Sequence, residues 1–152
     1  MQLTEIYVGL GQDNFLQLLR GISISGLRTY QLFEHFKARC HIIKLNQDGL
    51  KKAAPRLWSR IAEKDADLAS DIAQAVLVSH LDMLAAVLNH LGIENTGGFF
   101  DKDADVVAKL EGDWQQKVFE EFRERFPPPL LVFYLNHLAS EVAPETPIFL
   151  PA

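Results

Sequence analysis

The sequence has few of the features that build a secreted or membrane-spanning protein. Its 152 residues include one cysteine, Cys40, so no disulfide can form within the chain. The first residues lack the basic and apolar regions of a secretory signal. No apolar run approaches the roughly 18 residues that a membrane helix needs. These absences predict a cytoplasmic protein that does not contact a membrane.

The sequence also lacks the motifs of common catalytic and metal sites. It has no glycine-rich phosphate loop, no Gly-x-Ser-x-Gly turn and no Cys-x-x-Cys pair, and no acidic residue stands three positions before a histidine. The segment from Asp101 to Asp105 begins like a calcium loop, but Val106 and Gly112 replace its turn glycine and its last glutamate. We expect these carboxylates to favour a helix N-terminus instead. The sequence therefore indicates no catalytic residue, metal ligand or cofactor.

Helical periodicity dominates what is present, and no segment shows the alternation of a strand. The longest unbroken segment without glycine or proline in the middle of the chain is 67–91; Asp65 or Asp67 can cap its start, and Gly92 can end it. Because its apolar arc covers most of the circumference, we expect one long helix with neighbours on several sides. The predicted fold is all-α: a single-domain bundle of six or seven helices around this central helix.

Serine, glycine and proline mark the other predicted boundaries. Ser25 caps a helix over about 26–44, and residues 46–49 (Asn-Gln-Asp-Gly) form a turn. Three consecutive prolines precede a final helix. We therefore predict one all-α domain over 1–142, followed by a proline-rich C-terminal arm over 143–152.

Charge is distributed unevenly along the chain, whose formal net charge is −5. Residues 20–60 contain nine cations and two carboxylates, whereas residues 61–152 contain six cations and sixteen carboxylates. This asymmetry indicates either halves that face each other, within one chain or between copies, or a polyanionic partner for the basic half. We favour the first interpretation.

The favoured function is a non-enzymatic helical interaction or regulatory domain that self-associates, as a homo-oligomer, or binds another protein. Its candidate contact residues are apolar side chains outside the predicted helices, because such side chains either plug the body of the protein or meet a partner. They are Phe99, Phe100, Ile148, Phe149 and Leu150.

A first alternative is nucleic-acid binding through residues 18–60. The stretch from Leu18 to Tyr30 has the short helix, the glycine-containing turn and the polar helix start of a helix-turn-helix. Phosphate contacts would come from cations in this part of the chain, namely Arg28, Lys52, Arg56 and Arg60.

A second alternative is a small-molecule- or metal-using enzyme with a pocket around His80. This histidine falls inside the apolar arc of the predicted central helix, where an imidazole needs a hydrogen-bond partner. The candidate pocket combines His80 with Tyr30 and Tyr134, and a purely structural histidine is the simpler explanation. His137 and Glu141, one helical turn apart, are expected to form an exposed surface pair.

Overall fold

The computed structural model describes residues 1–30, 32 and 47–152. Within these residues the protein is all-α, with nine helices and no strand, which confirms the predicted fold class but exceeds the predicted six or seven helices. The packing divides the chain into two compact units: residues 3–79, and residues 80–152 together with Met1 and Gln2. That residues 1–142 act as one domain stays a prediction.

One helix is central to the unit formed by residues 3–79. The described helices of this unit are α1 (Leu3–Leu10), α2 (Gln12–Arg20), α3 (Ile24–Thr29), α4 (Gln47–Ala62) and α5 (Ala66–Ser79). Helix α5 packs against each of the other four. Its side chains at helical spacing, among them Leu68, Ile72 and Val76, are fully buried, as expected for a helix with an apolar face toward several neighbours.

The start of α5 is fixed by a predicted cap. The Asp65 Oδ1 accepts a hydrogen bond of 3.1 Å from the Leu68 backbone N–H. The other carboxylate oxygen, Oδ2, lies 2.7 Å from an Arg60 guanidinium nitrogen. A capping carboxylate both satisfies an unpaired N–H and interacts favourably with the helix dipole. Asp65 thereby also joins the end of α4 to the start of α5.

The prediction of a single helix over 67–91 is wrong. Helix α5 ends at Ser79, α6 (Leu81–His90) follows, and His80 between them has the non-helical angles φ −135° and ψ 41°. The Ser79 hydroxyl donates to the Ala75 carbonyl at 2.6 Å and accepts from the Ser23 N–H at 2.9 Å. A serine bonded to the carbonyl four residues earlier tends to bend a helix. The break at His80 is also the boundary between the two units.

The break bears on whether any helix could cross a membrane. No single helix in the described part of the chain is long and apolar enough to do so. Helices α5 and α6 reach the required length and composition only when they are taken together, as a pair bent at the break.

Two further predicted boundaries are corrected. Helix α3 begins at Ile24, because the hydroxyl that accepts a hydrogen bond from the Gly26 N–H, at 3.0 Å, belongs to Ser23 and not to Ser25. Residues 47–49, predicted as part of a turn, are helical, and α4 runs unbroken through Pro55. The rest of the predicted helix over 26–44, including Cys40, lies outside the described residues except for Leu32, which is helical and buried.

The unit that begins at His80 contains α6, α7 (Ala104–Lys109), α8 (Trp114–Phe122) and α9 (Pro128–Val142). Gly92, which has positive φ, follows α6 as the sequence predicts, and Gly112, also with positive φ, precedes α8. Helix α9 begins at Pro128, so the last two of the three prolines lie inside the helix and do not precede it. Every side chain from Leu130 to Ala139 is buried. Helix α9 is therefore buried on all sides over residues 130–139, and it packs against α8.

The C-terminal arm lies against its own unit. The Phe149 N–H donates to the Asn136 Oδ1 at 2.7 Å, and the Asn136 Nδ2 donates back to the Phe149 carbonyl at 3.0 Å. The Phe149 ring lies 6.5 Å from the Phe119 ring, centroid to centroid, and the Ala152 N–H donates to Gln116. The fully buried Asn136 thus holds the arm on α9 and α8.

A buried hydrogen bond between α1 and α5 gives a test of this packing. The Tyr7 hydroxyl donates to the Ala69 carbonyl at 2.9 Å. Tyr7→Phe keeps the ring but removes the donor, so we expect a loss of about 1 kcal/mol in the free energy of unfolding, measured in urea. Tyr30→Phe is the control, because the half-buried Tyr30 makes no hydrogen bond through its hydroxyl to any described residue. Equal losses in both variants would contradict this role for Tyr7.

Candidate binding cleft

Residues 93–109 surround an open cleft of about 470 Å³ in the unit that begins at His80. Its wall starts with a tight turn after α6. Thr96 and Phe99 exchange two backbone hydrogen bonds of 2.7 and 3.1 Å, and the intervening Gly97 and Gly98 both have positive φ. Two-residue turns with positive φ at both positions favour glycine. The turn holds Phe99 at its edge.

The turn is fixed to the end of α6 by Asn95. The Asn95 Nδ2 donates to the Asn89 side chain at 2.9 Å, and the Asn95 Oδ1 accepts from the Gly98 N–H at 3.1 Å. Gly98 packs so closely on α6 that a Cβ added there would lie 3.0 Å from the Leu84 Cβ. The cleft wall is therefore built on a helix and does not depend on the loop alone.

Phe99 and Phe100, both predicted contact residues, line the cleft. The Phe99 side chain is 61% exposed, and that of Phe100 is half-buried. An exposed phenylalanine leaves unrealised the roughly 1.5–3 kcal/mol that its burial would contribute. Contact between these rings and a partner stays a prediction.

The charge of the cleft is negative, with four carboxylates against one cation among its lining residues. Asp103 caps α7, since its Oδ1 accepts from the Val106 N–H at 3.0 Å, which confirms that part of this acidic segment serves a helix N-terminus. The Lys109 ammonium donates to the Gly92 carbonyl at the end of α6. This contact places a cation where the helix dipole favours one.

The other three carboxylates of the cleft belong to Glu94, Asp101 and Asp105. All three are exposed and form no ion pair with any residue that the structure describes. Among all residues that the structure describes, no group of three His, Cys, Asp or Glu side chains is arranged to hold a metal ion. We call this surface, formed by Glu94, Phe99, Asp101 and Asp105, the acidic cleft.

The residues of the proposed enzyme pocket occupy different surroundings. His80 is half-buried at the break after α5, and its carbonyl accepts from the Leu84 N–H at 3.2 Å. Tyr134 is 3% exposed on α9, and its hydroxyl has no hydrogen-bond partner among the described residues. Tyr30 is half-buried just after α3, in the other unit. A pocket formed from these three residues stays a prediction.

His137 and the exposed Glu141 lie within ion-pair distance one helical turn apart, as expected, but the expected exposure of His137 is wrong, because this side chain is buried on α9. The His137 Nδ1 lies 3.7 Å from a Glu141 oxygen, too far for a hydrogen bond, and its ring packs on Phe133. Burial lowers the pKa of His137, and the Glu141 charge partly opposes this shift. Burial, and then Glu141, raises the pKa of Tyr134. The continuous apolar run of α9 was the sequence signal for this burial.

The cations proposed to contact phosphate are not equivalent. Lys52 and Arg56 are exposed on α4, whereas the Arg60 guanidinium is bound to Asp65. The Arg28 side chain lies outside the described part of the structure. Nucleic-acid binding through residues 18–60 stays a prediction.

The apolar residues of the C-terminal arm are also divided. Phe149 is half-buried and bound to Asn136, whereas Ile148 and Leu150 are 36% and 55% exposed. Ile148 and Leu150 therefore have surface available for a partner, and their use by one stays a prediction.

No protein-family model matches the sequence, and neither a curated protein nor a solved structure matches it. The function is therefore argued from the geometry and charge of this chain.

Alanine substitutions at Gly97 and Gly98 should separate two contributions to the loss of stability, backbone strain and side-chain crowding. Gly97→Ala adds a Cβ at φ +58° with no atom within 4 Å, so it should cost only the left-handed backbone penalty, about 1–2 kcal/mol. Gly98→Ala, at φ +97°, also forces its Cβ against Leu84. We expect a larger loss of stability in urea for Gly98→Ala, by roughly 1 kcal/mol or more. Equal losses would contradict the packing of the turn on α6.

The pKa of His137 predicts a pH dependence of stability. Because the folded pKa is lowered, the unfolded chain binds more protons between the two pKa values, and stability should fall as pH decreases below about 6.5. His137→Gln should flatten this dependence, and Glu141→Gln should steepen it by removing the charge that favours the imidazolium. The measurement is urea unfolding across this pH range, with the exposed His90→Gln as the control. If the dependence of stability on pH were unchanged in both His137→Gln and Glu141→Gln, its assignment to His137 would be refuted.

Proposed function

We propose that the protein is a cytoplasmic, non-enzymatic helical interaction domain whose acidic cleft binds a basic segment of a protein partner. The observation that carries the proposal is the exposed Phe99 ring beside three carboxylates that form no ion pair with any residue in the described part of the chain. A lysine or arginine side chain suits both features, because it carries a cation on an apolar stem.

The sign of the charge favours a cationic ligand. The carboxylates of Glu94, Asp101 and Asp105 repel phosphate, whereas nucleic-acid binding depends on cations that neutralise it. A cation over the face of Phe99 would gain about 0.5–1 kcal/mol at an exposed site. The surrounding carboxylates would contribute mainly by raising the association rate and by rejecting acidic segments.

The size of the cleft supports recognition of a few side chains. A volume of about 470 Å³ lies within the range of sites that hold small ligands. An aromatic side chain at the centre of a small contact is typical of residues that dominate binding energy. A contact confined to a few side chains corresponds to a weak or transient interaction.

A labelled peptide tests the proposal directly. The probe is the fluorescein-labelled peptide Lys-Leu-Lys-Leu-Lys-Leu, and its binding is followed by fluorescence anisotropy at low and at high salt. We expect salt-sensitive binding that weakens by roughly tenfold in Phe99→Ala and in the double variant Asp101→Asn with Asp105→Asn, because each removes one of the two recognition features. The peptide Glu-Leu-Glu-Leu-Glu-Leu should not bind.

The matched control replaces carboxylates elsewhere in the same unit. Glu111→Gln with Glu121→Gln changes the net charge by the same amount at two exposed positions that do not line the cleft. This variant should bind the lysine peptide like the unmodified protein. No binding of the lysine peptide, or equal weakening by the control pair, would overturn the proposal.

A further inference from the structure

The chain itself carries a surface with the opposite charge to the acidic cleft. Lys51 and Lys52 are exposed on α4 and form no ion pair with residues in the described ranges. Pro55, also exposed, lies four and three positions further along the same helix. Side chains at these spacings are neighbours on a helix surface. We call Lys51, Lys52 and Pro55 the basic face of α4.

The basic face of α4 and the acidic cleft are complementary in composition. The cleft places the exposed Phe99 ring beside carboxylates, and the basic face places the exposed Pro55 ring beside two ammonium groups. The same complementarity holds over the whole sequence, since cations predominate in residues 20–60 and carboxylates in residues 61–152. Contact would bring apolar rings together and pair charges that have no ion-pair partner in the described part of the chain.

We propose that the acidic cleft of one copy of the chain binds the basic face of α4 on a second copy. The proposal rests on the function proposed above, because it names the partner of the same site. Every copy carries both surfaces, so the contact is heterologous and joins two different patches. Each copy can bind one neighbour through its acidic cleft and another through its basic face of α4. Charge complementarity of this kind fixes the partner and the register and makes the contact sensitive to salt.

Charge exchange between the two surfaces provides the test. One variant combines Lys51→Glu with Lys52→Glu, and the other combines Asp101→Lys with Asp105→Lys. Sedimentation equilibrium at low ionic strength should show self-association of the unmodified protein that weakens in roughly 0.5 M salt. Each variant alone should associate at least tenfold more weakly, and an equal mixture of the two should recover the association. The variant Lys64→Glu with Lys117→Glu, which changes exposed lysines on neither surface, should associate like the unmodified protein.

The outcomes separate this proposal from the one on which it rests. A protein that stays monomeric at all concentrations but binds the lysine peptide through Asp101 and Asp105 would overturn the second-copy proposal and leave the interaction domain intact. Absence of both kinds of binding would overturn both proposals. Failure of the mixture to associate, with both variants folded by circular dichroism, would also overturn the pairing of these two surfaces.

Discussion

The hydrogen bonds of one serine hydroxyl decide how the chain is organised. Ser79 bonds to the Ala75 carbonyl in its own helix and to the Ser23 backbone N–H, which lies 56 residues away in sequence. Ser23 in turn caps α3 through the Gly26 N–H. The serine pair therefore determines where α3 begins and where α5 ends. Helices α3 and α5 lie so close together there that a Cβ added at Gly26 would stand only 3.1 Å from the Ala75 carbonyl oxygen.

Local signals in the sequence predicted the helix boundaries that are determined by residues within a single helical turn. Asp65 caps α5 and Gly92 follows α6, each for reasons contained within a few residues. The break at His80 was missed because the apolar periodicity continues through it. Ser79-His80-Leu81-Asp82 fits the Ser-x-x-Asp pattern of a helix start, but the N-cap of α6 is His80 and no side chain caps the helix. The bond to Ser23 that accompanies the break is not visible in the sequence.

The candidate site was predicted in part. Phe99 was selected because a large apolar residue next to a glycine turn outside the helices has no evident place in the core, and its ring is exposed. The sequence could not show which of the following acidic residues caps a helix and which lines the cleft, because this depends on where α7 begins. Asp103 caps that helix, whereas Asp101 and Asp105 line the cleft. The exposure of His137 was misjudged because apolar periodicity cannot show that a helix is buried on every side, polar residues included.

The attachment of the C-terminal arm through Asn136 restricts the side chain at position 136 much more than the side chain at position 149. The Asn136 Oδ1 and Nδ2 both bind the backbone of residue 149 and not its ring, and the Nδ2, which has two N–H donors, also donates to the Val132 carbonyl at 3.0 Å. Many side chains could therefore stand at position 149 without loss of these bonds. Aspartate at position 136 would lose the donor, and leucine would lose both. Mutational tolerance in this region should thus differ sharply between the anchoring helix and the anchored arm.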